Sequence, residues 1–390
     1  MSELSIWRIG VLVLAVAPFA YYLVAIFAAV RFFRRGRNRR AVESTPPVSL
    51  LKPVHGVDFA SPTNFESFCR QNYPEYEILF CVNDMEDPAV PLIRQVMRDF
   101  PECSIRILSN APKIGSNQKV NNLIVLAQEA KHEIIVQSDG DVRVSPDYLK
   151  NVVAEFADPA VGVVSCFYRG MAEQNFWAEV EAVGAASDFL AGAAVASLPG
   201  RVTFALGASV ATTKSWLAKI GGYEALADLL ADDYEVGNRV HKAGGKVLLS
   251  REVVWTMYPV QTRKSFWEHQ VRWARTVRIV RPASFVALVV THGLPWCVLA
   301  AVVAPSIWVG AGFLGGYLFL RLLMAWVVGV WGVGDEVLRK KLWLVPVRDA
   351  IYFAVWVAGF VSNRVTWGGV EFAIEGGRMR EVEEAGNKKN

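Results

Sequence analysis

The chain is apolar near both ends, whereas its middle alternates between short apolar runs and polar segments. Residues 11–30 carry no charge, and about 20 apolar residues are enough to cross a bilayer. This run is too long for the apolar core of a cleaved signal peptide. It is followed at once by a cluster of arginines: Arg31, Arg34, Arg35, Arg37, Arg39 and Arg40. Because basic residues mark the cytosolic side of a span, the pattern predicts a signal anchor with its N-terminus outside and residues after 31 in the cytosol.

A second apolar zone covers residues 283–333, and Pro305 divides it into two candidate spans at 285–304 and 307–333. A polar, partly basic loop follows at 335–341. This loop predicts that the chain returns to the cytosol after the second of these spans.

Residues 342–361 form a third apolar candidate, but Arg348 and Asp349 lie inside it. A full span and an interfacial hairpin are both compatible with this pattern. A buried helix of a soluble domain is the third alternative for this segment.

Between residues 46 and 282, short apolar runs alternate with helical patterns, which predicts parallel βαβ units and an α/β fold. The predicted strands are residues 48–51, 77–82, 104–108 and 133–137. The predicted helices are residues 64–71, 90–99 and 119–131. The expected organisation is an anchor and basic segment at 1–45, the α/β domain at 46–282, membrane or interfacial helices at 283–362, and a polar tail at 363–390.

Composition agrees with a membrane-bound chain. The hydrophobic fraction is 53% and the mean hydropathy is +0.27, so part of the chain is expected to meet lipid. The formal net charge of +4 is modest and gives no indication of a nucleic-acid partner. The five cysteines have no CxxC spacing, which fits a reducing compartment better than a disulfide framework or a zinc site.

A predicted buried strand ends in Asp139-Gly140-Asp141. Two carboxylates separated by one small residue can converge on one divalent cation if the chain bends between them. Mg²⁺ and Mn²⁺ favour oxygen ligands, and substrate phosphates commonly complete their coordination. An exposed Asp-Gly turn is the structural alternative.

Two further segments are candidates for nucleotide binding. Asp84 follows another predicted strand, where its carboxylate could accept from a base or ribose, and Asp87 is a second candidate that could equally cap a helix. In the loop and helix start at 115–122, Lys119 could reach a phosphate oxygen beside Asn121, although an ordinary capped helix would look the same.

Asp232 and Asp233 open an apparent helix after a Gly-Gly-Tyr turn. We predict Asp233 as the general base that deprotonates an acceptor hydroxyl, with Asp232 beside it. The helix dipole also favours acidic residues at this position, so helix capping is the alternative.

The segment His269-Gln270-Val271-Arg272-Trp273 precedes the second apolar zone. Arg272 and Trp273 are predicted to contact a diphosphate or the acceptor, because arginine binds phosphate through two donors. Arg278 lies further along the same helical side and is predicted to reach lipid headgroups instead.

Taken in order, these elements resemble the family-2 glycosyltransferases, most closely ceramide glucosyltransferases and related hopanoid-lipid glycosyltransferases. The resemblance covers residues 48–280 and is carried by 48–58, 73–77, 84–88, 117–123, 138–144, Asp232-Asp233-Tyr234 and Arg272-Trp273. It implies a GT-A fold, a divalent cation (Mg²⁺ or Mn²⁺) and an inverting mechanism. It also implies nucleotide contacts from Asp84 or Asp87, metal-diphosphate contacts from Asp139 and Asp141, and Asp233 as base.

The resemblance leaves the acceptor open. The last motif of the family usually begins with Gln or Arg, whereas this chain has His269, a form that resembles the hopanoid-lipid branch. The expected reaction transfers glucose or a related hexose from a UDP-sugar to a membrane lipid such as ceramide, by a multi-pass protein of the cell membrane with a cytosolic catalytic domain. The alternatives are a hopanoid-lipid N-acetylglucosaminyltransferase, a transferase for another lipid or polyprenyl phosphate, and a non-catalytic membrane scaffold.

Overall fold

The computed structural model describes residues 6–34, 44–367 and 370–382. They form two compact units. The helical unit comprises 6–34, 169–198 and 258–362, and the sheet unit comprises 44–168, 199–257, 363–367 and 370–382. Four of the arginines predicted to orient the anchor, Arg35, Arg37, Arg39 and Arg40, lie outside the described residues.

One large sheet dominates the sheet unit. Its strands are β1 (Val48–Pro53), β2 (Tyr76–Cys81), β3 (Ser104–Leu108), β4 (Ile134–Ser138), β5 (Val142–Arg143), β6 (Val161–Ala172), β7 (Ser209–Thr213) and β8 (Lys246–Tyr258). Their order is β3-β2-β1-β4-β7-β6-β8-β5. The four predicted strands are present as β1 to β4 and pair in parallel, as expected. Strand β7 runs antiparallel to both β4 and β6, so the second half of the sheet departs from the predicted pattern.

The α-helices are α1 (Ile6–Leu14), α2 (Ala17–Arg34), α3 (Ser61–Cys69), α4 (Ala89–Asp99), α5 (Gln118–Glu129), α6 (Tyr148–Val153), α7 (Phe176–Gly184), α8 (Leu190–Ala196), α9 (Lys214–Lys219), α10 (Asp232–Lys242), α11 (Arg263–Val280), α12 (Pro282–Ala287), α13 (Gly293–Val303), α14 (Ile307–Ala325), α15 (Glu336–Lys340) and α16 (Leu344–Ala358). The three predicted helices correspond to α3, α4 and α5. Helix α5 begins where the Asn117 side chain accepts a hydrogen bond from the backbone of Val120 at 3.2 Å. It packs on β1 and β2 through a buried apolar core that includes Leu51, Leu79 and Leu123.

The topology gathers three loops at one edge of the sheet. Because β1, β2 and β4 are parallel neighbours, their carboxyl ends at Pro53, Cys81 and Ser138 face the same way. Ligands of open α/β sheets bind at this edge. The candidate residues that follow β2 and β4 therefore share a location that suits a binding site.

The expected polar tail forms structure of its own. Strands β9 (Arg364–Trp367), β10 (Val370–Glu375) and β11 (Arg378–Glu381) make a three-stranded antiparallel sheet in the sheet unit. Phe372, Ile374 and Met379 are buried, and each is next to at least one charged residue, so an alternating pattern with one apolar face stabilises strands in a segment that looks polar overall.

The helical unit contains the apolar helices. Two stretches, Ile6–Arg34 and Ile307–Gly332, are long and apolar enough to cross a membrane, and they coincide with the predicted spans at 11–30 and 307–333. The predicted span at 285–304 corresponds to two helical segments, Pro282–Thr291 and Gly293–Val303, with a bend of 47° between them. These helices support a membrane protein.

Helix α16 covers only 15 residues of the third predicted candidate at 342–361, fewer than the roughly 20 that a span needs. Its two charged residues have partners inside the helical unit. Asp349 Oδ1 lies 2.8 Å from Nη2 of Arg321, which is itself 2% exposed on α14. Tyr317 donates to Asp349 Oδ2 at 2.7 Å, and Asp188 Oδ1 lies 2.5 Å from Arg321.

Candidate active site

Lys119 joins two of the predicted carboxylates. Its Nζ lies 2.6 Å from Oδ1 of Asp139, just after β4, and 3.7 Å from Oδ2 of Asp232, at the start of α10. Burial acts to lower the pKa of Lys119, but these two carboxylates outweigh it and raise the pKa. The structure therefore brings together three segments that are far apart in the sequence, and Lys119 is charged at their centre.

A second lysine, which the sequence did not single out, supports the same loop. Lys52 is fully buried in β1, and its Nζ donates to the backbone carbonyl of Asp139 at 2.7 Å. The Phe68 ring lies 3.8 Å from this ammonium group. Burial lowers the pKa of Lys52 to about 7, against the opposing charge of Asp141. The available signal was a lone lysine directly after the predicted strand at 48–51, and the structure extends this strand to Pro53 with every residue buried.

Asp233 lies against a glycine that leaves room for it. A Cβ at Gly207 would come within 2.7 Å of Asp233 Oδ2. Burial raises the pKa of Asp233 to about 6, the charge of Asp232 adds to this, and Lys119 opposes it. A carboxylate with a pKa near working pH suits general-base catalysis. Ala231 precedes α10 and supplies no side-chain cap, so the first turn relies on the helix dipole.

The balance of charge at this site fits a divalent cation. Asp139, Asp141, Asp232 and Asp233 together carry two more negative charges, when ionised, than Lys52 and Lys119 can neutralise. Burial raises the pKa of Asp141 to about 7, with Asp139 as the next cause. Among the described residues no set of three or more His, Cys, Asp or Glu side chains forms a complete metal-binding group. Two aspartates with further oxygens from a phosphate ligand would match the preference of Mg²⁺ or Mn²⁺.

The two candidate aspartates for nucleotide binding, Asp84 and Asp87, differ in exposure and in their hydrogen bonds. Asp84 is exposed in the turn after β2 and accepts from the Glu86 backbone at 2.8 Å. Asp87 is 7% exposed and accepts from the backbone of Gly56 at 3.0 Å and of Ala89 at 2.8 Å. Its carboxylate therefore links the loop after β1 to the turn that leads into α4, although the N-cap position of this helix is Pro88 and no side chain caps it.

Asn121 stabilises the loop before α5. Its side chain accepts from the backbone of Gly115 at 3.0 Å and donates to the carbonyl of the same residue at 2.9 Å. Gly115 approaches Ala227 so closely that a Cβ there would clash with the Ala227 carbonyl oxygen. Asn121 thus holds the loop that leads to Lys119, and both of its side-chain groups are engaged within the protein.

The predicted acceptor residues lie on α11 in the helical unit, whereas the carboxylates belong to the sheet unit. His269 Nδ1 lies 2.7 Å from Oε1 of the buried Glu181, and its ring meets Trp273 edge-on at a centroid distance of 4.7 Å. Burial lowers the pKa of Arg272 to about 10, partly opposed by Glu181. His269, Arg272 and Trp273 are therefore ordered on a helix that begins with a capping box at Thr262.

Arg278 has partners within the protein, and its predicted contact with lipid headgroups stays a prediction. Its guanidinium donates to the backbone carbonyls of Phe360 at 3.1 Å and Ser362 at 2.9 Å. These carbonyls lie just beyond the end of α16, where backbone acceptors lack helical partners. Arg278 therefore ties α11 to the segment after α16.

Known proteins share both sequence and fold with this chain. The family described as glycosyl transferase family 21 matches residues 10–379. A protein named ceramide glucosyltransferase 1, from Caenorhabditis elegans, is 25% identical over 374 residues, which cover 92% of this chain and 78% of that protein. A ceramide glucosyltransferase from Candida albicans is 34% identical over 118 residues, covering 27% of this chain and 22% of that protein.

Among solved structures, a mannosyltransferase from Pyrobaculum calidifontis in complex with GDP-Man and Mn²⁺ superimposes with a TM-score of 0.55 at 17% identity, covering 91% of this chain and 99% of that chain. At this identity the similarity concerns the fold, and it confirms the predicted GT-A class. The resemblance to ceramide glucosyltransferases is confirmed by the sequence relatives. Since the family match extends over almost the whole chain, the protein belongs to glycosyl transferase family 21 and is a glycosyltransferase.

Proposed function

We propose that this protein transfers a hexose from a UDP-sugar to a hydroxyl group of a ceramide-like membrane lipid, with inversion at the anomeric carbon. The observation that carries the proposal is the set of carboxylates around Lys119, with Asp139 at the end of β4 and Asp232 and Asp233 at the start of α10. The names of the relatives support a ceramide-like acceptor, and the candidate spans would keep the protein at the membrane that holds it. Intact carboxylates argue against a scaffold without activity.

In this reaction Asp233 removes the proton from the lipid hydroxyl. The oxygen attacks the anomeric carbon, a new carbon–oxygen bond forms, and the bond from that carbon to the diphosphate breaks, so UDP leaves. Asp233 has the raised pKa that a base at neutral pH needs. Lys119 adds a positive charge beside the carboxylates, where the diphosphate is expected to lie.

Asp139 and Asp141 would hold Mg²⁺ or Mn²⁺. The ion, when bound, stabilises the negative charge that develops on the leaving diphosphate. The mannosyltransferase of similar fold forms its complex with both GDP-Man and Mn²⁺, which is consistent with this assignment. Lys52 and Lys119 keep the Asp139 loop in place from two sides, through its backbone carbonyl and its carboxylate.

We assign the remaining residues by their placement. Asp84 is exposed at a strand end and is the stronger candidate for the nucleotide, whereas Asp87 is engaged with two backbone amides. His269, Arg272 and Trp273 are assigned to the acceptor or diphosphate. Arg272→Lys should keep only part of the turnover, because lysine lacks the planar pair of donors.

The sheet unit is proposed to face the cytosol, where nucleotide sugars are supplied. Gly56 is a suitable place for a reporter, since it adopts a positive φ of 67° in a loop and has open space around it. A reporter inserted there should give a cytosolic signal. An extracytoplasmic signal would contradict both the topology and the choice of donor.

The test of the whole proposal is purified protein assayed against a panel of UDP-sugars with ceramide and hopanoid acceptors. Ceramide should be glycosylated in the presence of Mg²⁺ or Mn²⁺, and excess EDTA should abolish transfer. Asp141→Asn should lower turnover severely, whereas Asp99→Asn, an exposed aspartate on α4, serves as the matched control. Transfer to a hopanoid alone would favour the alternative acceptor, and full activity in EDTA would contradict the metal assignment.

A further inference from the structure

Two buried side chains in the helical unit have hydrogen-bond donors without acceptors. Arg348 on α16 is 5% exposed and Gln270 on α11 is 3% exposed. They are joined by one hydrogen bond, from Arg348 Nη2 to Gln270 Oε1 at 2.8 Å. Among the described residues, none accepts from Arg348 Nε, Arg348 Nη1 or Gln270 Nε2. Three donor atoms on two linked side chains are therefore left for a group outside the described protein.

Leaving such donors unsatisfied is costly. A buried polar group without a partner costs about 1–3 kcal/mol, and more when it is charged, so native proteins keep few of them. The guanidinium is held firmly in this position. It stacks over the Tyr352 ring at 4.5 Å, and it packs so closely against α7 that a Cβ at Gly184 would overlap Arg348 Nε.

The surrounding charge favours a neutral acceptor over an anion. Burial acts to raise the pKa of Glu181, but His269, Gln261 and Arg348 outweigh it, and the pKa is lowered. Glu181 is therefore ionised close to Arg348, and the two charges offset each other. A phosphate would meet the repulsion of this carboxylate, whereas a carbonyl oxygen offers two lone pairs without a net charge.

The neighbourhood suits a lipid. Leu344 and Val345, one turn before Arg348 on α16, share a buried apolar cluster with Ala325 of the candidate span Ile307–Gly332. A headgroup held beside Arg348 would thus lie next to helices whose composition fits a bilayer.

We propose that Arg348 and Gln270 bind the amide carbonyl of the lipid acceptor headgroup. This inference rests on the proposed function for the class of acceptor. It assigns the recognition of that acceptor to Gln270, a residue of the segment 269–273 with no role assigned so far, and to Arg348, which lies outside that segment. Arg348 and Gln270 are positioning residues, because they bind the amide of the lipid and not the hydroxyl that reacts.

Two variants perturb the pair in different ways. Arg348→Gln removes the positive charge and the two donor atoms without acceptors, Nε and Nη1. Gly184→Ala changes no polar group but places a methyl group where Arg348 Nε lies, so the guanidinium must move. Arg339→Gln, an exposed arginine on α15, is the matched control.

The experiment measures binding and transfer separately in full-length protein in nanodiscs. The two ligands are a fluorescent short-chain ceramide and its analogue in which the amide is reduced to an amine. Wild-type protein should bind the amide at least about 10-fold more tightly than the amine, the value of one hydrogen bond to a charged donor. Arg348→Gln and Gly184→Ala should lose this preference, while the affinity for UDP-sugar and the amide preference of Arg339→Gln stay as in wild type.

The possible outcomes separate the two proposals. Transfer to ceramide without any amide preference, or a preference that survives in both variants, would contradict the role of Arg348 and leave the proposed function standing. Preferential binding of the amide without sugar transfer would support the binding site and contradict the proposed function. Neither binding nor transfer would contradict both.

Discussion

The substitution Asp233→Asn tests whether Asp233 acts as a general base or only fills space by packing. The amide keeps the dimensions of the carboxylate but cannot take a proton. Dimensions matter here, because Asp233 Oδ2 occupies the space that a side chain at Gly207 would need. Burial raises the pKa of Asp233 to about 6. A base with this pKa is about nine-tenths ionised at pH 7 and about one-tenth ionised at pH 5.

The expected magnitudes follow from these fractions. A carboxylate must be ionised to act as base, so turnover should be present above the pKa and lost as the pH falls through about 6. From these fractions alone, without the charge of a bound cation, the wild-type rate would drop about 10-fold between pH 7 and pH 5. A divalent cation at Asp139 and Asp141 would shift this limb to lower pH through its positive charge. In Asp233→Asn turnover should fall about 10²- to 10⁴-fold, and the remaining rate should lack the acid limb.

The assay follows initial rates from pH 5 to 8 at saturating donor and acceptor, with UDP-sugar affinity measured on the same samples. Asp99→Asn, on an exposed face of α4, should behave as wild type. Near-wild-type turnover in Asp233→Asn would refute the assignment. An acid limb that stays unchanged in Asp233→Asn would also refute the assignment. The titrating group would then be Asp141, whose pKa is raised to about 7 by burial and by Asp139.

Three further changes probe contacts that the sequence did not reveal. Lys52→Met removes the buried donor to the Asp139 carbonyl but fills the same volume, so UDP-sugar affinity measured by calorimetry should fall, and an unchanged affinity would assign Lys52 to packing alone. Arg321→Leu leaves Asp349 buried without its cation and should cost about 3–5 kcal/mol in the free energy of unfolding, measured by denaturation in detergent. Adding Asp349→Leu should recover part of this loss, and no recovery would place the effect elsewhere. Arg278→Ala should lower the melting temperature more than the turnover, because the guanidinium binds two backbone carbonyls; loss of membrane association at unchanged stability would restore the headgroup interpretation.

The parallel half of the sheet was predictable because its signals are local. Each of β1 to β4 is a short apolar run between polar segments, and the loops after β2 and β4 contain the aspartates. The rule that ligands bind beyond the carboxyl ends of parallel strands then places Asp84 and Asp139 at one edge. No contact between distant residues is needed for this step.

The antiparallel half depends on pairing that a single sequence does not contain. Strand β7 enters the sheet next to β4 although Ser138 and its partner Ser209 are far apart in the chain. The same limit explains why Lys52 and the partners of Lys119 were missed. Lys52 lies just after the strand predicted at 48–51, and Lys119 was predicted to meet a phosphate, with no prediction of its contacts with Asp139 and Asp232.

The segment at 342–361 shows how non-local pairing changes the meaning of a charge. In a hydropathy profile, the charges of Arg348 and Asp349 both argue against burial of this helix in an apolar environment. In the structure they have different partners, Gln270 on α11 and Arg321 on α14, and both are largely buried. The charge of Asp349 is paired in this way, whereas Arg348 keeps donors without an acceptor. The length of α16 argues against a full membrane span. Its 15 residues at about 1.5 Å each reach roughly 22 Å, less than the hydrocarbon thickness of about 30 Å. Arg348 and Asp349, which obscured this helix in the sequence, therefore attach it to α11 and α14, and the unused donors of Arg348 and Gln270 provide the proposed site for the acceptor.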